Sequence, residues 1–210
     1  MQSIVASIDN SLPQFPAVRQ GGSLLMMAGL PGSGKSSLVR QMCAVVDCIV
    51  ISTDHVRAQL VKQPSYTLSE MALVYEICYE LIAKRLKRGQ RVIFDASNYL
   101  SARRERLFSV AQPYATPIAV CYVQAAQEVI QLRLQQRTRN GRKNGNMSDA
   151  DWSVYMWMLN KQEPLKREHI VLDTTATPSE LLAQNLHQYW LQIETNAPSN
   201  GCLQSLRRTS

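Results

Sequence analysis

The stretch that decides the fold is "GLPGSGKSS", residues 29–37. Its nine residues hold three glycines, three serines, a proline and a lysine. It lies between the apolar run 23–28 and the apolar Leu38 and Val39. So flexible a loop between two buried elements needs a function for its backbone. Gly29, Gly34, Lys35 and Ser36 meet the spacing G-x-x-x-x-G-K-[ST], in which backbone N–H groups cradle phosphates. Glycine permits positive φ and close approach, consecutive N–H groups form an anion nest, and the next helix adds its positive end. Gly29, Pro31, Gly32, Ser33, Gly34, Lys35, Ser36 and Ser37 are therefore the expected ligands of a nucleotide triphosphate. Lys35 suits the β and γ phosphates, and the Ser36 hydroxyl suits Mg²⁺. At an average glycine usage of about 7%, a chain of this length meets the pattern by luck on the order of 1% of the time.

Outward from the loop, short apolar strands alternate with helical periods. Strands are expected at 23–29, 48–52, 91–97, 116–123 and 169–175. Helices are expected from Lys35, Asp54, Leu68, Ser101, Ala126, Ser148 and Pro178. Thr67–Glu70 and Thr177–Glu180 read as capping boxes, with side chains meeting open backbone N–H groups. Ser101 reads as a further cap. The alternation predicts an α/β three-layer fold, a five-stranded parallel sheet with helices on both faces, here with a helical lid. Residues 1–22 read as a flexible leader, 23–194 as one P-loop domain and 195–210 as a disordered tail.

The 210 residues carry a formal net charge of +7. The charge is dense in "AKRLKRGQR" (83–91), "SARRER" (101–106) and "RLQQRTRNGRK" (133–143), a distribution compatible with a polyanion partner. The five cysteines are scattered in sequence, and four (Cys43, Cys48, Cys78, Cys121) read as buried free thiols. The histidines are too scattered for a zinc site. No apolar run reaches the ~18 residues of a membrane span, and the N-terminus lacks a signal-peptide pattern, so a cytoplasmic protein with no membrane partner is expected.

Three features separate the P-loop classes. "NKQE" (160–163) departs from a GTPase base reader, because it ends in Glu and closes a helix. "RVIFD" ends in Asp95, followed by Ala96 and Ser97, so no glutamate stands beside it to activate water. That favours transfer to an acceptor over hydrolysis. "ISTDHVR" sets Asp54 and Arg57 three apart, on one helix face. A carboxylate there can accept the proton of an attacking hydroxyl, and the arginine can hold an anionic acceptor.

"GLPGSGKSS", "STDHVR" and "VIFDASN", in this order, resemble the motifs of P-loop kinases of the polynucleotide kinase and zeta toxin type. The resemblance spans about residues 23–175. It implies an ATP- and Mg-dependent kinase. The γ-phosphate would pass to a hydroxyl of a nucleic-acid 5′ end, a nucleotide or a small anionic molecule. It further implies Asp54 as general base, Arg57 as acceptor-phosphate ligand, and Asp95 and Asn98 at the acceptor and metal shell. The family's lid arginine corresponds best to Arg137, with Arg133 as its neighbour at the donor phosphates. Trp152, Tyr155 and Trp157 follow the lid and read as lid packing before base stacking. The alternative is an ATP-binding regulatory protein with little turnover, which has no need of the Asp54–Arg57 pair.

Overall fold

A computed structural model describes residues 1–61, 63–140 and 150–198. Five strands, β1 (Ser23–Ala28), β2 (Ile49–Ser52), β3 (Arg91–Asp95), β4 (Ile118–Gln124) and β5 (Ile170–Asp173), form one sheet in the order β2-β3-β1-β4-β5. Every pairing is parallel. Eight helices complete the described fold: α1 (Gln2–Ser11), α2 (Lys35–Val45), α3 (Thr53–Leu60), α4 (Leu68–Lys87), α5 (Ser101–Ala111), α6 (Gln127–Asn140), α7 (Trp152–Leu159) and α8 (Ser179–Asn196). This is the P-loop NTPase fold expected from the alternating runs.

All six residues of β1 are buried, as a central parallel strand covered on both faces requires. Its side chains alternate between two cores. Leu24 and Met26 join the core under α1, α3, α4 and α5. Leu25 and Met27 join the core under α2 and α8. Burial of each such side chain contributes about 1.5–3 kcal/mol. A third, smaller cluster joins Leu30 of the loop to Tyr99, Ile130, Leu134 and Tyr155. It seats α6 and α7 over the phosphate loop.

Residues 1–22 do not match the reading as a loose leader. Gln2–Ser11 is a helix with Val5, Ile8 and Asp9 buried. Its anchor is electrostatic as well as apolar. The Arg85 guanidinium, fully buried, donates from Nε to Asp9 Oδ1 at 2.6 Å. Arg88 Nη2 donates to the other carboxylate oxygen at 2.8 Å. Arg85 also donates to Pro13 O, and Gln90 Nε2 to Phe15 O. These partners lie more than 70 residues away in sequence, so no local pattern announces them.

The caps differ in part from their sequence reading. Thr67 Oγ1 accepts from the Glu70 amide, but the Glu70 carboxylate turns to Ser65 and Arg57 instead of back to Thr67. The N-caps of α5 and α8 are Leu100 and Pro178, with no side-chain cap bond. The Ser101 amide is met by the Glu163 carboxylate. The expected opening of α7 at Ser148 lies outside the described residues; the observed cap of α7 is Asp151. The tail reading falls largely outside them too, though α8 runs to Asn196. Cys48, Cys78 and Cys121 are buried as expected, while Cys43 is exposed. No helix among the described residues is long and apolar enough to cross a membrane.

Candidate active site

The site lies at the carboxyl ends of β1, β2 and β3, where parallel α/β sheets bind ligands. β1 ends at Ala28, and the Gly29 amide donates to Ser97 O at 2.9 Å, tying the loop to the end of β3. Gly34, at φ 97°, caps α2. A side chain there would meet the left-handed backbone penalty and crowd Thr174. The loop is thus closed by backbone geometry before any ligand arrives.

Lys35 is the first residue of α2 and is almost wholly buried. Its Nζ donates to Leu30 O at 2.9 Å and lies 3.5 Å from Ser33 Oγ, both in the loop. Burial lowers its pKa from 10.5 to about 8, against the opposing pull of Asp95 and Asp54. Ser36 Oγ donates to Asp95 Oδ2 at 2.9 Å. Burial pushes the Asp95 carboxyl upward, opposed by Lys35 and the Ser36 bond. A hydroxyl beside a carboxylate is a hard-oxygen donor pair suited to Mg²⁺, which keeps several waters and takes few protein ligands.

The register of β2 on β3 pairs Ser52 with Asp95. α3 begins at the next residue, Thr53, which delivers Asp54 to the mouth of the loop. Ser52 Oγ caps α3 by accepting from the His55 amide. Asp54 and Lys35 line one cavity of about 1250 Å³, with Ser36, Asp95, Arg133 and Arg137.

Arg57 stands differently from its sequence reading as an open phosphate ligand. Its Nη1 bonds Asp54 Oδ1 and its Nε bonds Glu70 Oε1, each at 2.9 Å. The Tyr66 ring lies 4.7 Å from the guanidinium carbon. Two carboxylates already answer its single charge, so the geometry makes Arg57 a holder of Asp54. Burial works against the Glu70 charge, but the Ser65 hydroxyl and amide and Arg57 together keep its carboxyl below the ordinary value.

Asn98 also departs from its expected place at the acceptor. It has no exposed surface, and its Nδ2 donates to Met27 O at 2.7 Å. Its own carbonyl accepts from Arg104 Nη1. Asn98, with its backbone at φ 46°, therefore ties the end of β3 to β1 and presents no surface to an acceptor.

Both lid arginines face the cavity. Arg133 donates from Nη1 to Thr174 Oγ1 at 2.8 Å and from Nη2 to Thr174 O at 2.7 Å, with a weaker contact to Gly32 O. Thr174 Oγ1 in turn donates to Ser33 O at 2.8 Å. Arg133 thus braces the phosphate loop from outside. Burial pulls Arg137 below its ordinary pKa, opposed by Asp54 across the cavity. Of the aromatic group, Trp152 stacks on Tyr155 at 4.9 Å between centroids, and Tyr155 is buried. Both are packing residues of the lid, while Trp157 lines the cavity.

Three residues escaped the sequence reading: Thr174, Glu70 as a partner of Arg57, and Tyr66. Thr174 had a signal, since it stands in the run "HIVLDTT" just past the carboxyl end of a strand. Glu70 was legible only as a helix cap.

The basic runs divide between the surface, where Lys84, Lys87, Arg88 and Arg106 are exposed, and the interior. Arg85 is buried on Asp9, Arg91 pairs with Glu194 at 2.7 Å, and Arg103 lies over the Tyr75 ring at 4.2 Å. Arg104 is buried and donates to the carbonyls of Asn98 and Pro164. The third run contributes Arg133 and Arg137 to the cavity, and its residues beyond 140 lie outside the described structure. Part of the charge that suggested a polyanion surface is thus engaged within the fold, and part stays exposed.

Comparison with known proteins agrees with this geometry. The fold matches a putative kinase from Chloroflexus aurantiacus at TM-score 0.67 and 17% identity, covering 81% of this chain and 99% of that one. It matches the Mycobacterium tuberculosis APS kinase CysC, in complex with AMPPNP and APS, at 0.60 and 18%, covering 81% and 98%. It matches a gluconokinase from Sinorhizobium meliloti at 0.56 and 20%, covering 89% and 99%. In sequence, residues 24–165 match the AAA domain model AAA_33. The chain belongs to this AAA-domain family of P-loop proteins.

Proposed function

We propose that the protein is a Mg²⁺- and ATP-dependent kinase that phosphorylates a hydroxyl of a small molecule. The observation that carries the reading is Asp54 in the same cavity as Lys35, Ser36 and Arg137. A nucleotide switch has no need of a carboxylate held by a buried arginine at the mouth of its phosphate loop. A kinase does, because the acceptor hydroxyl must lose a proton as it attacks.

The chemistry follows from position and charge. The loop amides and Lys35 hold the β and γ phosphates. Ser36 and Asp95 would hold Mg²⁺, which neutralises phosphate charge when bound. Asp54, oriented by Arg57, accepts the proton of the acceptor hydroxyl. Arg137 faces the charge that spreads over the transferring phosphoryl group, a contribution of about 10³ in rate where such arginines have been removed. Arg133 and Thr174 keep the loop in shape around the donor.

A small-molecule acceptor is favoured over a nucleic-acid end. Arg85, Arg91 and Arg104 of two basic runs are tied to partners within the fold, which leaves fewer charges of those runs for a phosphate backbone. Matched folds with named activities include an APS kinase and a gluconokinase, which points the same way.

The test is transfer from γ-labelled ATP with Mg²⁺ to a panel of sugars, sugar acids and nucleotides in one arm, and 5′-hydroxyl oligonucleotides in another. Label on a small molecule, lost in Asp54→Asn with nucleotide still bound, is the expected result. Label confined to the oligonucleotides would overturn the acceptor class. No label in either arm, with ATP bound, would overturn the kinase reading.

A further inference from the structure

Cys43 lies in the last turns of α2, and Cys48 lies just before β2. Their sulfurs are 3.7 Å apart. The two are unequal. Cys43 is exposed and lines the cavity near Arg40 and Val50, whereas Cys48 is 5% exposed. We propose that Cys43 and Cys48 are a peroxide-oxidisable dithiol, a modification site on the wall of the nucleotide cavity.

The geometry supplies what such a pair needs. A disulfide has S–S near 2.05 Å, so the sulfurs must close by only about 1.7 Å. The segment between them is the end of α2 and a short extended connection at Val46, which can adjust without moving a strand of the sheet. Access assigns the roles. Cys43 meets the oxidant, and Cys48 waits beneath it as the resolving thiol. The hydrogen bond between the sulfurs acts in the same direction. It holds the Cys43 thiol below its ordinary value and, together with burial, pushes Cys48 up. Cys78 and Cys121 are buried, and burial raises both thiols, so neither competes for oxidant.

The chemistry balances with hydrogen peroxide as the two-electron oxidant. The Cys43 thiolate attacks one peroxide oxygen, the O–O bond breaks, and the departing hydroxide takes a proton and leaves as water. Cys43 is then a sulfenic acid. The Cys48 sulfur attacks the Cys43 sulfur and displaces its hydroxyl, which leaves as a second water with the Cys48 proton. Two thiols are oxidised to one disulfide, and one peroxide is reduced to two waters.

Trypsin cuts after Arg40 and Arg57, so one fragment, 41–57, holds both sulfurs and no other cysteine. The reduced full-length protein is treated with hydrogen peroxide, quenched with N-ethylmaleimide under denaturing conditions, digested and weighed. The expected fragment is unalkylated and about 2 Da lighter than the dithiol, and dithiothreitol before the quench restores two alkylations. Cys48→Ser should stop at the sulfenic acid, trapped at Cys43 by dimedone. Two alkylated thiols in the treated wild type, alongside peroxide-treated controls that do oxidise, would overturn the proposal. So would a dimedone adduct at Cys43 as abundant in wild type as in Cys48→Ser. The readout is a mass, so it stands or fails independently of any phosphotransfer.

Discussion

The donor side and the acceptor side of the cavity are built in opposite ways. The donor side is a backbone loop. Gly29 to Ser36 are contiguous, and Lys35 bonds a carbonyl five residues before it. The acceptor side is a relay of side chains. Asp54 is held by Arg57, Arg57 by Glu70 thirteen residues on, and Glu70 by Ser65. In the loop the groups that meet the ligand are mostly backbone amides, so a change of side chain alters them little. A relay of side chains passes a disturbance at one member to the next.

The sharpest way to break the contrast is at its junction. Asp54→Asn keeps the shape but cannot take a proton, so turnover should fall by about 10²–10⁴ while nucleotide affinity, read by calorimetry, is unchanged. A parallel loss of affinity would mean that the two sides are not separable. Next in size is Arg137→Ala, with a drop in kcat of about 10³ and little change in KM for the acceptor. A change confined to KM would place that arginine on the acceptor instead.

A pH titration addresses the donor side alone. Lys35 must carry its proton to meet phosphate, and the free protein holds that proton only up to about pH 8. Nucleotide affinity should therefore fall about tenfold between pH 7 and 9, and Lys35→Met should abolish that slope. The same shift acts on the fold in the reverse sense. The unfolded chain keeps the proton to near 10.5 while the folded chain releases it near 8. Over that window the unfolded state binds more protons, so this residue's contribution to stability rises with pH. The smallest effect belongs to Glu70→Gln, which leaves Arg57 with Asp54 alone. Loss of one charged hydrogen bond, about 1 kcal/mol, should lower kcat about fivefold and leave nucleotide affinity intact.

The contrast also explains what could be read from the sequence. The five strands and the phosphate loop were legible because their signals are apolar runs and a fixed spacing. Asp54 and Asp95 were legible because strand ends deliver them. Arg57 was legible as a charge at the cavity, but its two carboxylate partners were not, because a sequence shows a charge and not what answers it. Asn98 misled because the motif "VIFDASN" marks a position in the fold, and burial decides whether the side chain meets a ligand or the backbone of β1. The basic runs were legible only in part for a related reason. An arginine that bonds carbonyls inside, such as Arg104, has the same letter as one that faces water.

The clasp of Asp9 by Arg85 and Arg88 bears on how the chain acquires its shape. Asp9 leaves the ribosome long before Arg85, which follows 76 residues later. Until α4 is made, α1 has no partner for its carboxylate and little surface to rest on. The first helix in the sequence must therefore wait for the fourth before it is anchored. A shortened version beginning at the first strand would leave a guanidinium in the interior without its counter-ion. The boundary of the matched family, at residue 24, is thus not the boundary at which this protein can be cut.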